Sequence, residues 1–114
     1  MTGTKSETRS LPTSVTDPRK PYKIHDEATL DLRLAARWYN RRRGGLGAEF
    51  VLAVDAAIAK IVEAPRRWPP FAGARRYILR RFPYNVIYRV DEERIHILAV
   101  AHQSRKPVYW GHRR

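Results

Sequence analysis

Residues 84–102 read YNVIYRVDEERIHILAVAH. Two runs rich in β-branched and aromatic residues, Tyr84 to Val90 and Ile95 to His102, flank the polar tetrapeptide Asp91-Glu92-Glu93-Arg94. That is the pattern of two strands joined by a hairpin turn. The second run, Ile95-His96-Ile97-Leu98-Ala99-Val100-Ala101, is apolar on both faces over much of its length, so it predicts a central strand covered by the rest of the chain. A third strand-like run, Arg75 to Phe82, precedes them. The C-terminal half is therefore a meander that needs a cover on one face.

The cover lies upstream. Leu30, Leu34 and Trp38 recur at i, i+4 and i+8, and Leu32, Ala35 and Tyr39 form the adjoining row. This predicts a helix capped by Asp26, with Glu27 and Asp31 near its positive end. It ends near Arg43, where Arg41, Arg42 and Arg43 meet the negative dipole end and Gly44-Gly45 stops the winding. Phe50, Val54, Ala57, Ile58 and Ile61 make the stripe of a second helix from about Leu46 to Glu63, closed by Ala64-Pro65. The glycine-containing turn between them makes an antiparallel hairpin. Tyr22 to His25 alternates between Pro21 and Asp26 and reads as a short edge strand, and Arg66 to Gly73 reads as a proline-set loop. The order β-α-α-β-β-β defines an α+β domain, an antiparallel sheet packed against an N-terminal helical hairpin. Residues 1–20 are polar and without period, which predicts a disordered tail and leaves 21–114 as the folded domain.

A chain of 114 residues fits one domain, and a 43% hydrophobic share suffices for a core. The chain has no cysteine, which excludes a disulfide framework, a thiolate zinc site and a thiol nucleophile. No apolar run approaches the roughly 20 residues that span a bilayer, and the start lacks the apolar core of a secretory signal. A cytoplasmic protein with no membrane association is expected. The formal net charge of +12 is the strongest compositional signal. Such a body repels itself until an acidic protein or a nucleic acid docks. Arginine far outnumbers lysine, and its planar fork pairs with phosphate or carboxylate through two hydrogen bonds.

Three groups of residues carry candidate chemistry. The first is the arginine run Arg66, Arg67, Arg75, Arg76, Arg80 and Arg81. Strand alternation sets Arg76 and Arg80 on one face and Arg75 and Arg81 on the other, with Arg89 joining the open face from the next strand. Arg75, Arg76, Arg80 and Arg89 are thus candidates for binding a nucleic acid or another target, with Tyr77, Tyr84 and Tyr88 available for stacking. A plain solvated face is the alternative. The second group follows the central strand: His102, Arg105 and Tyr109, with Arg81 nearby in the meander. Imidazole as base, guanidinium on the phosphorane and phenol as acid would suit RNA cleavage. By alternation His96 and His102 face the same side. The plainer readings are a strand-end role for His102 and core packing for Tyr109 and especially Trp110. The third group, Asp91, Glu92 and Glu93, is rejected as a metal site, because consecutive turn carboxylates point apart. Neither a metal nor a cofactor is expected.

Four segments, in this order, resemble the RelE/ParE superfamily of bacterial type II toxin–antitoxin toxins, in its plasmid-stabilisation branch. They are Trp38-Tyr39; Leu46-Gly47 with Phe50; Arg81-Phe82-Pro83-Tyr84 with Ile87 and Tyr88; and Ala99-Val100-Ala101-His102 followed by Arg105, Pro107 and Trp110. The resemblance spans residues 22–113 and implies a growth inhibitor neutralised by a cognate antitoxin, whose acidic or amphipathic segment wraps it. Leu34, Trp38, Phe50 and Val54 are the candidate antitoxin-binding residues, as a groove along the two helices. The resemblance further implies either a ParE-like poison of DNA gyrase or a RelE-like ribosome-dependent mRNA endonuclease. A RelE-type site would map onto Arg80, Arg81, His102, Arg105 and Tyr109. Arginines stand where that pattern expects lysines, and a guanidinium is a poor proton acceptor; the ParE-like reading is therefore preferred. A non-toxic basic binding module is the third alternative.

Overall fold

The structure is a computed structural model that describes residues 21–104 and 110–113. The expected tail, Arg105 and Tyr109 lie outside the described residues. In chain order the elements are β1 (Tyr22–Ile24), α1 (Asp26–Arg42), α2 (Leu46–Glu63), β2 (Pro70–Phe71), β3 (Ala74–Ile78), β4 (Tyr84–Val90) and β5 (Ile95–His102). The α+β class and the helical hairpin on the sheet are as expected. The sheet runs β1-β5-β4-β3-β2. Its β2 to β5 part is antiparallel, but β1 lies parallel to β5, with Tyr22 opposite Ile95 and Ile24 opposite Ile97. The two helices carry the chain from β1 to β2 at the opposite edge, and the meander through β3 and β4 brings it back to β5 beside β1, so the sheet is mixed rather than wholly antiparallel.

The helices form where their apolar period demands. Asp26 and Glu27 stand in the first turn of α1 and Arg41 and Arg42 in its last. The cap position belongs to His25, one residue earlier than expected, and makes no side-chain cap bond. Between the helices the chain passes through Gly45 at φ 88°, a conformation glycine adopts without a Cβ clash. Gly45 carries no side chain to cap α2. Instead Asn40 of α1 accepts a hydrogen bond from the Gly47 N–H at 2.7 Å. This brings the helices so close that a Cβ on Gly47 would lie 2.3 Å from the Ala36 carbonyl oxygen.

The main core lies between the helices and one face of the sheet. Ala28, Ala35 and Tyr39 of α1 and Phe50, Val54, Ile58 and Ile61 of α2 meet Val86, Tyr88, Ile95, Ile97 and Val100. A smaller cluster on the opposite face packs Trp110 against Ala74, Ile87, Leu98, Ala99 and Ala101. Trp110 is a core residue, as expected, and it explains why β5 is apolar on both faces.

Two departures from strand alternation matter for function. Leu79 to Pro83 leaves the ladder: β3 ends at Ile78, and the buried Leu79 and Phe82 anchor a loop across to Tyr84. Arg80 and Arg81 therefore ride on a loop, and Arg76 and Arg80 do not share a strand face. The second departure is a bulge. Ile87 pairs with Ala99 and Tyr88 with Ile97, so Leu98 is an extra residue on β5. One extra residue inverts the alternation beyond it.

Candidate functional site

The bulge decides where the histidines point. His96 pairs with Arg89, whereas His102 pairs with Tyr84, whose side chain packs against the helix-covered core. His96 and His102 therefore face opposite sides of the sheet, not the same side. His96 Nε2 lies 2.8 Å from Asp91 Oδ2, and Asp91 Oδ1 accepts from the Glu93 and Arg94 main-chain N–H groups at 2.8 Å each. Those bonds, led by the one from Arg94, hold the Asp91 pKa down to about 2.

His102 borders a groove of about 580 Å³ between α1 and the end of β5, lined also by Asp31, Leu34, Trp38, Tyr39, Pro83, Tyr84, Val100 and Ser104. β1 covers β5 only as far as Ile97, which leaves this stretch of the strand beside α1. On α1 the row Leu30, Leu34 and Trp38 stands at 53, 52 and 43% exposure, although it has the spacing of a core stripe. Tyr39 and Ala35, one row over, fill the core instead. The Arg42 guanidinium lies 4.2 Å from the Trp38 ring centroid and extends this apolar strip with a cation. Of the expected antitoxin-binding residues, Leu34 and Trp38 are on the surface and in the groove. Phe50 and Val54 are wholly buried and present nothing to a partner. Their stripe is the one that meets the sheet.

The polar end of the groove holds hydrogen-bond donors. Ser104 donates its main-chain N–H to His102 Nδ1 at 3.0 Å, with its hydroxyl 2.8 Å from the same atom. Burial raises the Tyr84 pKa, and nearby Tyr39 and Asp31 raise it further; burial also raises that of Tyr39. These phenols stay protonated. The groove thus sets an imidazole, two protonated phenols and the Asp31 carboxylate beside apolar surface.

The arginines divide among several places. Arg81 pairs with Glu49 of α2, which Arg43 also approaches at 3.6 Å, and this tie lowers the Glu49 pKa. Arg76 lies over the Phe71 ring at 4.2 Å. Arg80 is exposed on its loop. Arg75 and Arg89 border a second concavity at the opposite end of β4. The expected single arginine face is thus broken into separate patches by the β3 end and by these pairings.

Asp31 and Arg113 were missed in the linear reading. Arg113 is almost wholly buried and donates from Nη1 to Asp31 Oδ2 at 2.8 Å and to the Leu98 carbonyl at 3.0 Å. Asp31 Oδ2 also accepts from the Val100 N–H at 3.1 Å. The pair ties α1 to β5 at Leu98 and Val100, and Asp31 lines the groove. Nothing in the periodicity joins residues 82 positions apart.

A helical hairpin on a mixed sheet, with an apolar groove beside the last strand and an arginine-rich surface, defines a small basic α+β domain. The family model described as the ParE toxin of the type II toxin–antitoxin system, parDE, matches residues 22–107, and the chain belongs to that family. Toxin ParE2 of Mycobacterium tuberculosis, in strains CDC 1551 / Oshkosh and H37Rv, is 44% identical over 57 residues, covering 49% of this chain and 54% of the relatives. The chain thus spans about half the length of the curated relatives it matches. A solved structure described as the chromosomal ParDE TA system from P. aeruginosa superposes with a TM-score of 0.67 at 19% identity. It covers 74% of this chain and 96% of its own, so the fold is shared.

Proposed function

We propose that the chain is the toxin of a type II pair and that its cognate antitoxin neutralises it by laying an amphipathic segment along α1, into the groove beside β5. The observation that carries this reading is the exposed row Leu30, Leu34 and Trp38 bordering a 580 Å³ groove. Covering one large apolar side chain is worth about 1.5–3 kcal/mol, so this row supplies a hot-spot cluster. The net charge of +12 favours an acidic segment. When free, the toxin acts by binding DNA gyrase. The main support for binding over RNA cleavage is the exposed apolar surface along the groove, which suits a protein partner.

Two measurements test this. Purified protein added to gyrase should block supercoiling, and expression should leave transcripts uncut. Cleavage of translated messages at defined codon positions would replace the gyrase reading with the endonuclease one. Normal supercoiling, intact transcripts and normal growth would leave a non-toxic binding module. For the groove, Leu34→Asp should keep the circular-dichroism spectrum and weaken binding to the protein encoded by the adjoining reading frame by about 10-fold or more. Unchanged affinity would move the antitoxin site elsewhere.

A further inference from the structure

At the end of β4 remote from the groove, Arg66, Arg75 and Arg89 border a concavity of about 310 Å³, together with Pro70, Gly73, Ala74 and Val90. The three guanidiniums come from three segments: the loop after α2, β3 and β4. No carboxylate lines the site. Elsewhere Arg43 and Arg81 share Glu49, and Arg113 pairs with Asp31 and Glu27. Arg66, Arg75 and Arg89 have no ion pair among the described residues. In the turn that follows Val90, Asp91 is engaged with His96 and with the Glu93 and Arg94 main-chain N–H groups.

The site is also held in shape. Arg75 Nη1 donates to the Trp68 carbonyl at 2.6 Å and to the Arg66 carbonyl at 3.3 Å. That fixes the guanidinium and pins the loop bearing Arg66, while its Nε–H and Nη2 donors are left over. The Tyr88 hydroxyl donates to the Pro65 carbonyl at 2.6 Å and anchors the start of the same loop. On the other side, the two-residue turn Ala72-Gly73, with φ 51° and 80°, folds β2 back on β3. Arg89 Nε reaches the Gly73 carbonyl at 3.5 Å. Three arginines bordering one hollow, with no carboxylate in its lining, make an oxyanion site whose charge repulsion the ligand relieves.

We infer that this hollow binds a phosphate of a nucleic-acid backbone. The neighbouring aromatic rings favour phosphate over an acidic peptide. Trp68, whose carbonyl holds Arg75, packs on Tyr77 at 4.9 Å between ring centroids, with Arg67 5.4 Å from its own ring. A phosphate at the hollow would bring an adjoining base to this platform, whereas a carboxylate would not use it. The inference stands apart from the gyrase and antitoxin readings, because it concerns the opposite end of the sheet.

The test is fluorescence anisotropy with a labelled single-stranded oligonucleotide of about 12 nucleotides, a length within the site sizes of such grooves. The variant Arg66→Gln/Arg89→Gln leaves the loop-pinning Arg75 in place. It should bind about 10-fold more weakly, and the slope of log K against log salt should flatten by about 0.7, one phosphate contact's worth. The equal-charge control Arg33→Gln/Arg37→Gln on α1 should stay within about twofold of the parent. Equal losses in both variants would show diffuse charge and overturn the site. So would an absence of oligonucleotide binding by the parent chain at low salt. If oligonucleotide affinity is unchanged while polyglutamate affinity falls, the hollow takes carboxylates and the inference is wrong.

Discussion

Two residues illustrate how local chemistry holds this chain in shape. Gly47 is needed for space rather than for backbone freedom, since its missing Cβ is what lets α1 and α2 touch. Gly47→Ala should therefore cost about 2–3 kcal/mol by urea denaturation, at the upper end of overpacking penalties, because the nearest atom is a backbone oxygen that cannot swing away. Gly44→Ala, which meets nothing within 4 Å, should be near neutral or slightly stabilising. Asp91 acts through charge. Its folded pKa of about 2 lies below the ordinary 3.8, so its contribution is complete above pH 4 and is lost as pH falls through 2. Asp91→Asn keeps an oxygen for the Glu93 and Arg94 N–H groups but removes the titration. The variant's melting temperature should fall less steeply between pH 4 and 2 than the parent's. Parallel acid limbs would mean that His96 and the turn hold Asp91 no more tightly than water does.

Among the elements, legibility tracked how much of the information was local. α1 and α2 were readable because their apolar residues repeat over 17 and 18 residues, and both ends carry charge or glycine signals. Which row of α1 is buried was not readable, since Leu30-Leu34-Trp38 and Ala35-Tyr39 are both apolar and only the tilt against β5 chooses between them. The bulge at Leu98 was hidden for a similar reason. An apolar run can absorb an extra residue without breaking its pattern, and the cost was the wrong face for His102. The end of β3 at Ile78 was missed because Leu79 and Phe82 look like strand residues and are instead anchors of a loop. The hydrogen bonds that tie α1 to β5 were the least legible, depending on Asp31 and Arg113 from opposite ends of the chain. Arg113→Met should cost about 3 kcal/mol, as breaking a buried pair leaves Asp31 without its main cation. A double-mutant cycle with Asp31→Asn measures the coupling, and additive losses would mean that Leu98 and the surrounding contacts hold Arg113 instead.

The molecule as a whole carries +12 on 114 residues, and that excess sets its response to its surroundings. Cations outnumber carboxylates by 23 to 11, while the pair that matters most to the fold, Arg113 with Asp31, is sheltered. Salt should therefore relieve more repulsion than it removes attraction. The net effect is opposite to that in a chain stabilised by surface ion pairs, whose exposed bridges are worth little and fade on screening. Raising ionic strength from about 0.02 M to about 0.5 M shortens the screening length from roughly 20 Å to roughly 4 Å. The melting temperature should rise by several degrees over that range, and by a similar amount in chloride and in a weakly binding anion. If sulfate or phosphate raises it much further at equal ionic strength, specific anion binding adds to screening. That surplus should vanish in Arg66→Gln/Arg89→Gln. A melting temperature that falls with salt would mean that attractive pairs dominate the surface, and the idea of a body poised for an acidic partner would lose its physical basis.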